Sequence, residues 1–473
     1  MADCFLTNNP LFFDTAKCPC CSFLSHADLF LPLDSSSIEK VEEDEEKGSM
    51  LSPHDALEQI MMAASSSSQE EGTEKNKGEE ATTPPTRVLL IDTHGHPHLN
   101  RERQAEYISS SEKKVNNNNN NLIALSCAVS QSDWITTLNY ASTSKHILPG
   151  LGVHPWYLDS LSPNYLQDLE MLLKQHPNAI VGEIGLCKVA KFIRTYPDGK
   201  TAALTLQRKV FQEQLQLAAK LKRPTSVHCV KSHGVLLSIL KEMKEKAKLE
   251  LKEIRKKKKN GGGGGGGNEI NESDFVRSAF PPAIGMHSFT GTAHHVKELL
   301  AFEESLYGHD TNESSKKKKK QQKKKDANIQ QNNEAGVNEE TTLIIQNKNN
   351  TNGEPSLEQP PPPLPEQRKP QPLFYFGFSH SINVLMCSSD KSRKQTSEAI
   401  RAVPLHRVLA ESDVHSHEDV AAATAGAIAN IAFCMDMPIV DVAKLTARNG
   451  LLFFGSLWQS DYIIKDTGGG VVS

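Results

Sequence analysis

The feature of this sequence that most constrains its fold is an alternation, from residue 87 onward, of short apolar runs with amphipathic segments. Runs such as 122–125 are typical of strands buried on both faces, as in parallel sheets. Segments such as 207–221, which carry an apolar face opposite a polar one, are typical of helices. A strand and a helix repeated eight times predict an α/β fold, the (β/α)8 TIM barrel. The predicted strands are 87–96, 122–130, 146–154, 179–186, 225–230, 283–289, 374–380 and 407–414.

Three stretches outside this pattern have a composition unlike that of a packed domain. Residues 1–85 are predicted to be a disordered N-terminal extension. Two low-complexity inserts, about 244–279 and about 309–371, bury too little apolar surface to offset the entropy lost on ordering. Removing inserts of 36 and 63 residues from the 372 residues of 87–458 leaves 273, close to the roughly 250 of a typical barrel. The sequence therefore predicts one folded domain, residues 86–473.

Charge and cysteine content limit the partners and the compartment. The 473-residue chain has a formal net charge of -4, which does not by itself indicate a nucleic-acid partner. The lysine runs 256–259 and 316–320 are compatible with phosphate contacts, with nuclear import or with protein partners, but solvated insert sequence is the favoured interpretation. Nine cysteines without paired spacing indicate reduced thiols, and no apolar run approaches the ~20 residues of a membrane span. We predict a cytoplasmic protein, with a nuclear location as the alternative, and no membrane partner.

Histidine and carboxylate residues end most of the predicted strands. His94 and His96 are separated by one residue at the end of the first strand, and side chains alternate faces along a strand, so both point the same way. In barrels of this type the carboxyl ends of different strands meet at one face, where the catalytic side chains lie. The sequence therefore predicts a cluster of such side chains at that face. Its members are His94, His96, His154, Glu183, His228, His287 and Asp413.

These residue types suit a site for two divalent metal ions, because neutral imidazole is a common metal ligand. Four histidines and two carboxylates can hold two ions if Glu183 bridges them, and such a pair lowers the pKa of a bound water. Asp413 is predicted to bind a metal and to take the proton from that water. His154 is predicted to contact a substrate phosphate instead of a metal. The choice among Mg²⁺, Mn²⁺ and Zn²⁺ stays open, since histidine favours the last two and the reaction class commonly uses the first.

Several of these residues lie in motifs that together resemble the TatD family of metal-dependent hydrolases, within the amidohydrolase superfamily of barrels. The resemblance implies a deoxyribonuclease, often a 3′ to 5′ exonuclease, that uses two divalent metals and has DNA as its substrate. It also implies that His94, His96 and Asp413 bind one metal, that His228 and His287 bind the other, and that Glu183 bridges them. The motifs are 91–96 (Ile-Asp-Thr-His-Gly-His), 182–186 (Gly-Glu-Ile-Gly-Leu), 227–228 (Val-His), 287–291 (His-Ser-Phe-Thr-Gly) and 411–413 (Glu-Ser-Asp).

Three positions depart from the pattern of that family. Cys187 stands where the family commonly has Asp, Val230 where it usually has Arg, and His415 where it usually has Pro. None of the three is a predicted metal ligand, so metal binding is expected to survive. The departures bear on phosphate contacts and substrate choice, and they resemble a divergent eukaryotic branch of the family.

Two other functions compete with a nuclease. The first is hydrolysis of another ester, a lactone or an amide by the same barrel, although such enzymes often use a carboxylated lysine at the position where this chain has Glu183. The second is a non-catalytic interaction scaffold whose inserts bind partners. A scaffold has no need to group desolvated polar side chains at one face, which argues against it.

Overall fold

A computed structural model describes residues 50–66, 88–100, 122–260, 270–307 and 371–457. Its centre is one sheet of eight parallel strands whose spatial order follows the chain order. The predicted barrel class is confirmed, and each strand lies within its predicted range except the fourth, which extends one residue beyond 179–186 to Cys187. The strands are β1 (Leu90–Gly95), β2 (Leu122–Cys127), β3 (Ile147–Leu151), β4 (Ile180–Cys187), β5 (Thr225–Val230), β6 (Ile284–Met286), β7 (Phe374–Ser379) and β8 (Val408–Glu411).

The last strand meets the first through contacts beyond the regular ladder. The backbone N–H of Asp413 donates to the carbonyl of His94 (3.0 Å), and that of His96 donates to the carbonyl of Val414 (2.8 Å). The fully buried Asp92 carboxylate accepts from both the backbone N–H (2.8 Å) and the hydroxyl (2.6 Å) of Ser412. These bonds join the ends of β1 and β8, the strands that carry His94, His96 and Asp413.

Helices surround the strands and pack apolar faces on them. The continuous buried core lies between the two layers and contains residues such as Leu215, Val227 and Phe376. The helices are α1 (Pro53–Ser66), α2 (Trp134–Ser142), α3 (Tyr165–Gln175), α4 (Phe192–Thr195), α5 (Gly199–Leu221), α6 (His233–Asn260), α7 (Glu272–Ser278), α8 (Ala293–Leu306), α9 (Asp390–Ala402), α10 (Val420–Met435) and α11 (Ile439–Phe454).

Within the predicted disordered extension 1–85, residues Pro53–Ser66 are instead helical and form α1. This helix packs against α10, and its residues Ala56 and Ile60 are completely buried. The hydroxyl of Ser52 accepts a hydrogen bond from the backbone N–H of Asp55 (3.2 Å), which satisfies one of the free donors at the start of the helix. Residues 50–66 therefore form part of the folded domain, while 1–49 and 67–85 lie outside the described residues.

The first predicted insert is also partly helical. α6 continues to Asn260 because Met243, Ala247 and Leu251 form a buried stripe at helical spacing beneath a charged surface. Arg255 then pairs with Glu272 of α7 (3.2 Å). Of the predicted insert 244–279, only 261–269 lies outside the described residues, whereas the second predicted insert lies almost wholly outside them.

Among the described residues, no single helix is long and apolar enough to cross a membrane. α10 and α11 meet the length and composition criteria only when taken together, and they bend by 113° at their junction.

Candidate metal centre

Glu183, near the middle of β4, lies at the centre of a ring of histidines. Its Oε2 atom is 3.5 Å from Nε2 of His94 and 3.3 Å from Nε2 of His96. Its Oε1 atom is 3.0 Å from Nδ1 of His228 and 3.4 Å from Nε2 of His287. The two oxygens of one carboxylate thus face two different pairs of histidines, the arrangement expected of a bridging ligand.

Asp413 lies across this ring from Glu183. Its Oδ1 is 3.7 Å from Nε2 of His96, its Oδ2 is 3.9 Å from Nε2 of His287, and the Ser288 hydroxyl donates to Oδ2 (3.0 Å). Asp413 and Ser288 both have positive φ, 53° and 38°, a conformation that is costly for residues other than glycine. The hydrogen bond from Asp413 N–H to His94 offsets that cost, so the carboxylate is held at the pocket.

Three histidines are oriented by partners behind the pocket. Nδ1 of His94 is 2.7 Å from the Ser226 hydroxyl, and Nδ1 of His96 is 2.6 Å from the carbonyl oxygen of Cys127. Nδ1 of His287 lies 3.4 Å from a carboxylate oxygen of Glu411, an ion-pair contact without hydrogen-bond geometry. These contacts leave the Nε2 atoms of all three rings directed at the pocket, as is usual for histidines that bind a metal.

The buried charges of the cluster are strongly coupled. Burial opposes ionisation of Glu183, but the surrounding histidines, His154 first, hold its pKa well below the ordinary value. Burial likewise opposes protonation of His96 and His287, yet Glu183 and Asp413 raise the pKa of each ring to about 9. Burial, followed by repulsion from His287, lowers the pKa of His94 to about 3. Without a metal, protonated imidazoles therefore balance the carboxylate charge, a role that a cation would take over.

The residues present fit a metal ion. Oε1 of Glu183 is buried and accepts no hydrogen bond of normal geometry, and Nε2 of His94 and Nε2 of His96 face each other at 3.2 Å. Nitrogen and carboxylate ligands of this kind suit Zn²⁺, Mn²⁺ or Mg²⁺. Three groups have ligand atoms close enough to share an ion: His94 with His96 and Glu183; His94 with His287 and Asp413; and His154 with Glu183 and His228.

His154 is the predicted residue whose position opens a second interpretation. Its Nε2 is 3.4 Å from Oε1 of Glu183, and its side chain is 6% exposed. Burial, only partly opposed by Glu183, lowers its pKa to about 3, so the ring is neutral and able to bind a cation. His154 is therefore a candidate ligand as well as a candidate phosphate contact, and both roles stay predictions.

Glu411 is a site residue that the sequence reasoning left out. It is 2% exposed, and besides approaching His287 it accepts a hydrogen bond from the backbone N–H of Ser288 (2.7 Å). A signal was available, since Glu411 and Asp413 are two residues apart at the end of one strand, the spacing that identified His94 and His96. The Ser226 and Cys127 contacts gave no such signal because they depend on strand register.

Comparison with known proteins places this geometry in a family. The family model described as TatD related DNase matches residues 91–328, half of the chain. The chain belongs to the TatD-related DNase family. The matched segment contains five of the six residues predicted to bind metal, and Asp413 lies beyond it.

Individual TatD relatives match over shorter segments. The Cut9-interacting protein scn1 of Schizosaccharomyces pombe is 30% identical over 152 residues, 29% of this chain and 42% of that protein. The 3′-5′ RNA nuclease TATDN2 of Homo sapiens is 38% identical over 96 residues, 19% of this chain and 11% of that protein. An uncharacterized metal-dependent hydrolase of Haemophilus influenzae is 30% identical over 156 residues, 32% of this chain and 57% of that protein. The chain thus spans less than two thirds of each of these relatives.

The fold also aligns with solved structures of TatD proteins, at low sequence identity. YJJV, a TatD homologue from Escherichia coli, is 15% identical and aligns with 78% of this chain and 98% of that structure, at a TM-score of 0.44. A TatD family hydrolase from Entamoeba histolytica is 11% identical and aligns with 77% of this chain and 97% of that structure, at a TM-score of 0.42.

Proposed function

We propose that this TatD-family chain is a two-metal hydrolase that cleaves phosphodiester bonds in nucleic acid. The observation that carries the proposal is the placement of Glu183, whose two carboxylate oxygens face separate sets of histidines within 3.0–3.5 Å. A carboxylate placed in this way could bind two cations at once. A scaffold without catalytic activity gains nothing from so many desolvated polar side chains.

Six residues would hold the two cations. His94, His96 and Asp413 would complete one site and His228 and His287 the other, with Glu183 common to both. Two divalent ions bound there would lower the pKa of a water and stabilise charge on the attacking and leaving oxygens.

Asp413 is the proposed acceptor of the proton from that water. Burial opposes its ionisation, but His287, His94 and His96 lower its pKa, so the carboxylate is charged at neutral pH. The Ser288 hydroxyl donates to Oδ2 at 3.0 Å and fixes the orientation of the carboxylate. Oδ1 lies 3.7 Å from Nε2 of His96, on the side of the carboxylate away from the Ser288 hydroxyl bond, and we propose that it receives the proton.

DNA is the proposed substrate, cleaved from its 3′ end, and RNA is the alternative. The family description names a DNase, whereas the human relative is named as a 3′-5′ RNA nuclease. A pocket that fits two cations does not distinguish deoxyribose from ribose. The choice of DNA over RNA therefore follows the description of the family.

The proposal is tested by one assay on three substrates of the same sequence: single-stranded DNA, double-stranded DNA and RNA. The metal-depleted chain should cleave at least one of them only after Mg²⁺, Mn²⁺ or Zn²⁺ is added, and EDTA should abolish cleavage. Glu183→Gln should abolish cleavage, while the control Glu303→Gln, which changes a buried carboxylate paired with Arg407 outside the metal pocket, should cleave. Cleavage that persists in EDTA, or activity only on small esters or amides, would contradict the proposal.

A further inference from the structure

His228 differs from the other histidines of the metal centre. Its Nδ1 faces Glu183, whereas His94, His96 and His287 direct Nε2 at the pocket. The remaining nitrogen of His228, Nε2, is buried and makes no hydrogen bond of normal geometry. A histidine that binds a metal almost always donates its other ring N–H to an acceptor, which fixes the ring and raises its basicity. His228 therefore needs an acceptor that the carboxylates and carbonyls serving the other rings do not provide.

The side chain next to that ring is Cys187. In the parallel pairing of β4 with β5, Gly185 aligns with His228, and Cys187 lies two residues beyond Gly185 on the same side of the sheet. The thiol is completely buried, and the Trp156 indole that contacts its sulfur also lies beside His228, with 6.1 Å between the ring centroids. Burial raises the pKa of the Cys187 thiol, but the nearby His228 ring and the Trp156 indole outweigh burial and lower that pKa.

Cys187 is held firmly in place. The indole Nε1–H of Trp156 donates to its sulfur (3.1 Å). The Gln207 side chain accepts from its backbone N–H (2.9 Å) and donates to its carbonyl (3.2 Å). A donor on the sulfur stabilises negative charge there, and the fixed backbone keeps the sulfur against the His228 ring. The site thus supplies a placed acceptor beside a ring nitrogen that lacks one.

We infer that Cys187 is a positioning residue that orients His228 and sets the affinity of the metal site that His228 forms with Glu183. In the metal-bound site its sulfur would accept the Nε2–H of His228 and would touch no ion. The inference rests on the proposed metal-dependent function. It also gives a role to one of the departures from the family pattern, since a carboxylate at this position would accept the same hydrogen bond.

The test is metal binding by the full-length chain, measured with Co²⁺ after metal depletion. Calorimetry gives the number and affinity of the ions, and the cobalt absorption spectrum reports whether sulfur is a ligand. Cys187→Ala should weaken one of two bound equivalents by roughly 10- to 100-fold, the usual cost of losing such an acceptor. Cys187→Asp should restore that affinity, and Cys187→Ser should restore part of it. The control Cys434→Ala, at a buried cysteine of α10, should bind both ions as the wild type does.

The outcomes separate this inference from the proposed function. Two equivalents bound equally well by the wild type and by Cys187→Ala would overturn the positioning role and leave the proposed function standing. A sulfur-to-cobalt charge-transfer band in the wild type that Cys187→Ala loses would also overturn it, because the sulfur would then be a ligand. A wild-type chain that binds fewer than two ions would overturn the proposed function and this inference together. Thermal unfolding of each variant shows whether lost affinity reflects a lost fold, in which case Cys187→Ser decides the question.

Discussion

Replacing Glu411 with glutamine tests the support that Glu411 gives to His287, one of the proposed metal ligands. The Glu411 side chain is 2% exposed, and its carboxylate lies 3.4 Å from Nδ1 of His287. The amide oxygen of glutamine can still accept the Ser288 N–H, and the volume hardly changes. The space around this carboxylate is tight, since a Cβ added at Gly377 would lie 1.8 Å from Oε1 of Glu411. The main change is therefore loss of the negative charge that orients the His287 ring.

The expected effect of Glu411→Gln is a loss of roughly 10- to 100-fold in affinity for one metal equivalent. This corresponds to about 1.4–2.8 kcal/mol at 1.4 kcal/mol for each factor of ten. Calorimetric titration of the metal-depleted chain with Zn²⁺ or Mn²⁺ measures it. The matched control is Glu303→Gln, which breaks a buried pair with Arg407 (2.9 Å) and should cost about 3–5 kcal/mol of stability without changing metal affinity. Equal affinity in Glu411→Gln and the wild type would refute the orienting role.

Three further outcomes are expected. Ile60→Ala should lower the free energy of unfolding by about 2–5 kcal/mol in a urea titration, because Ile60 is completely buried against the domain, while Met62→Ala, at a position 61% exposed, should be nearly neutral. Asp413→Asn should lower the cleavage rate by roughly 10²- to 10⁴-fold with little change in melting temperature, and wild-type turnover would disprove its role as proton acceptor. In the metal-depleted chain, the pKa of His96 and that of His287 are raised from 6.5 to about 9. Protonation of these two rings therefore stabilises the fold fully below pH 6.5, and this stabilisation is lost as the pH rises to 9. The melting temperature should therefore fall over that range without metal and stay level with saturating Zn²⁺; a level curve in both states would contradict the coupling.

The eight strands could be predicted because each is encoded locally as an apolar run of the right length. The helix α1 was missed because composition was averaged over a long polar stretch. Its local signals are clear, with Ser52 and Asp55 in capping positions and Pro53 at the first helical residue. The buried stripe Met243, Ala247 and Leu251 was likewise hidden by the lysines between its members. Average composition therefore gives a wrong prediction of disorder for segments whose few apolar residues all lie on one face of a helix.

The side chains that form the centre could be named from the sequence because each follows a predicted strand. Their grouping could not be derived in the same way. Which ring nitrogen of His228 faces Glu183, and how near His154 approaches it, depend on strand register and rotamers that the sequence does not reveal. The partners behind the pocket, such as Ser226 for His94, come from neighbouring strands through the same register. Sequence therefore predicts the residues of the centre, and packing decides their geometry.

The positions of the low-complexity segments explain how such a centre tolerates them. Residues 261–269 separate α6 from α7, and 308–370 separate α8 from β7, so neither gap directly follows a strand. The side chains of the candidate centre, by contrast, lie in or just after the carboxyl ends of strands, the face that carries the site in barrels. β6 and β7 still pair in register from Ile284 with Phe374, and the Ser288–Asp413 hydrogen bond forms across the strands on either side of the longer gap. The described elements on either side of each gap thus keep the side chains of the candidate centre together, so a centre of regular geometry and segments of biased composition occur in one chain.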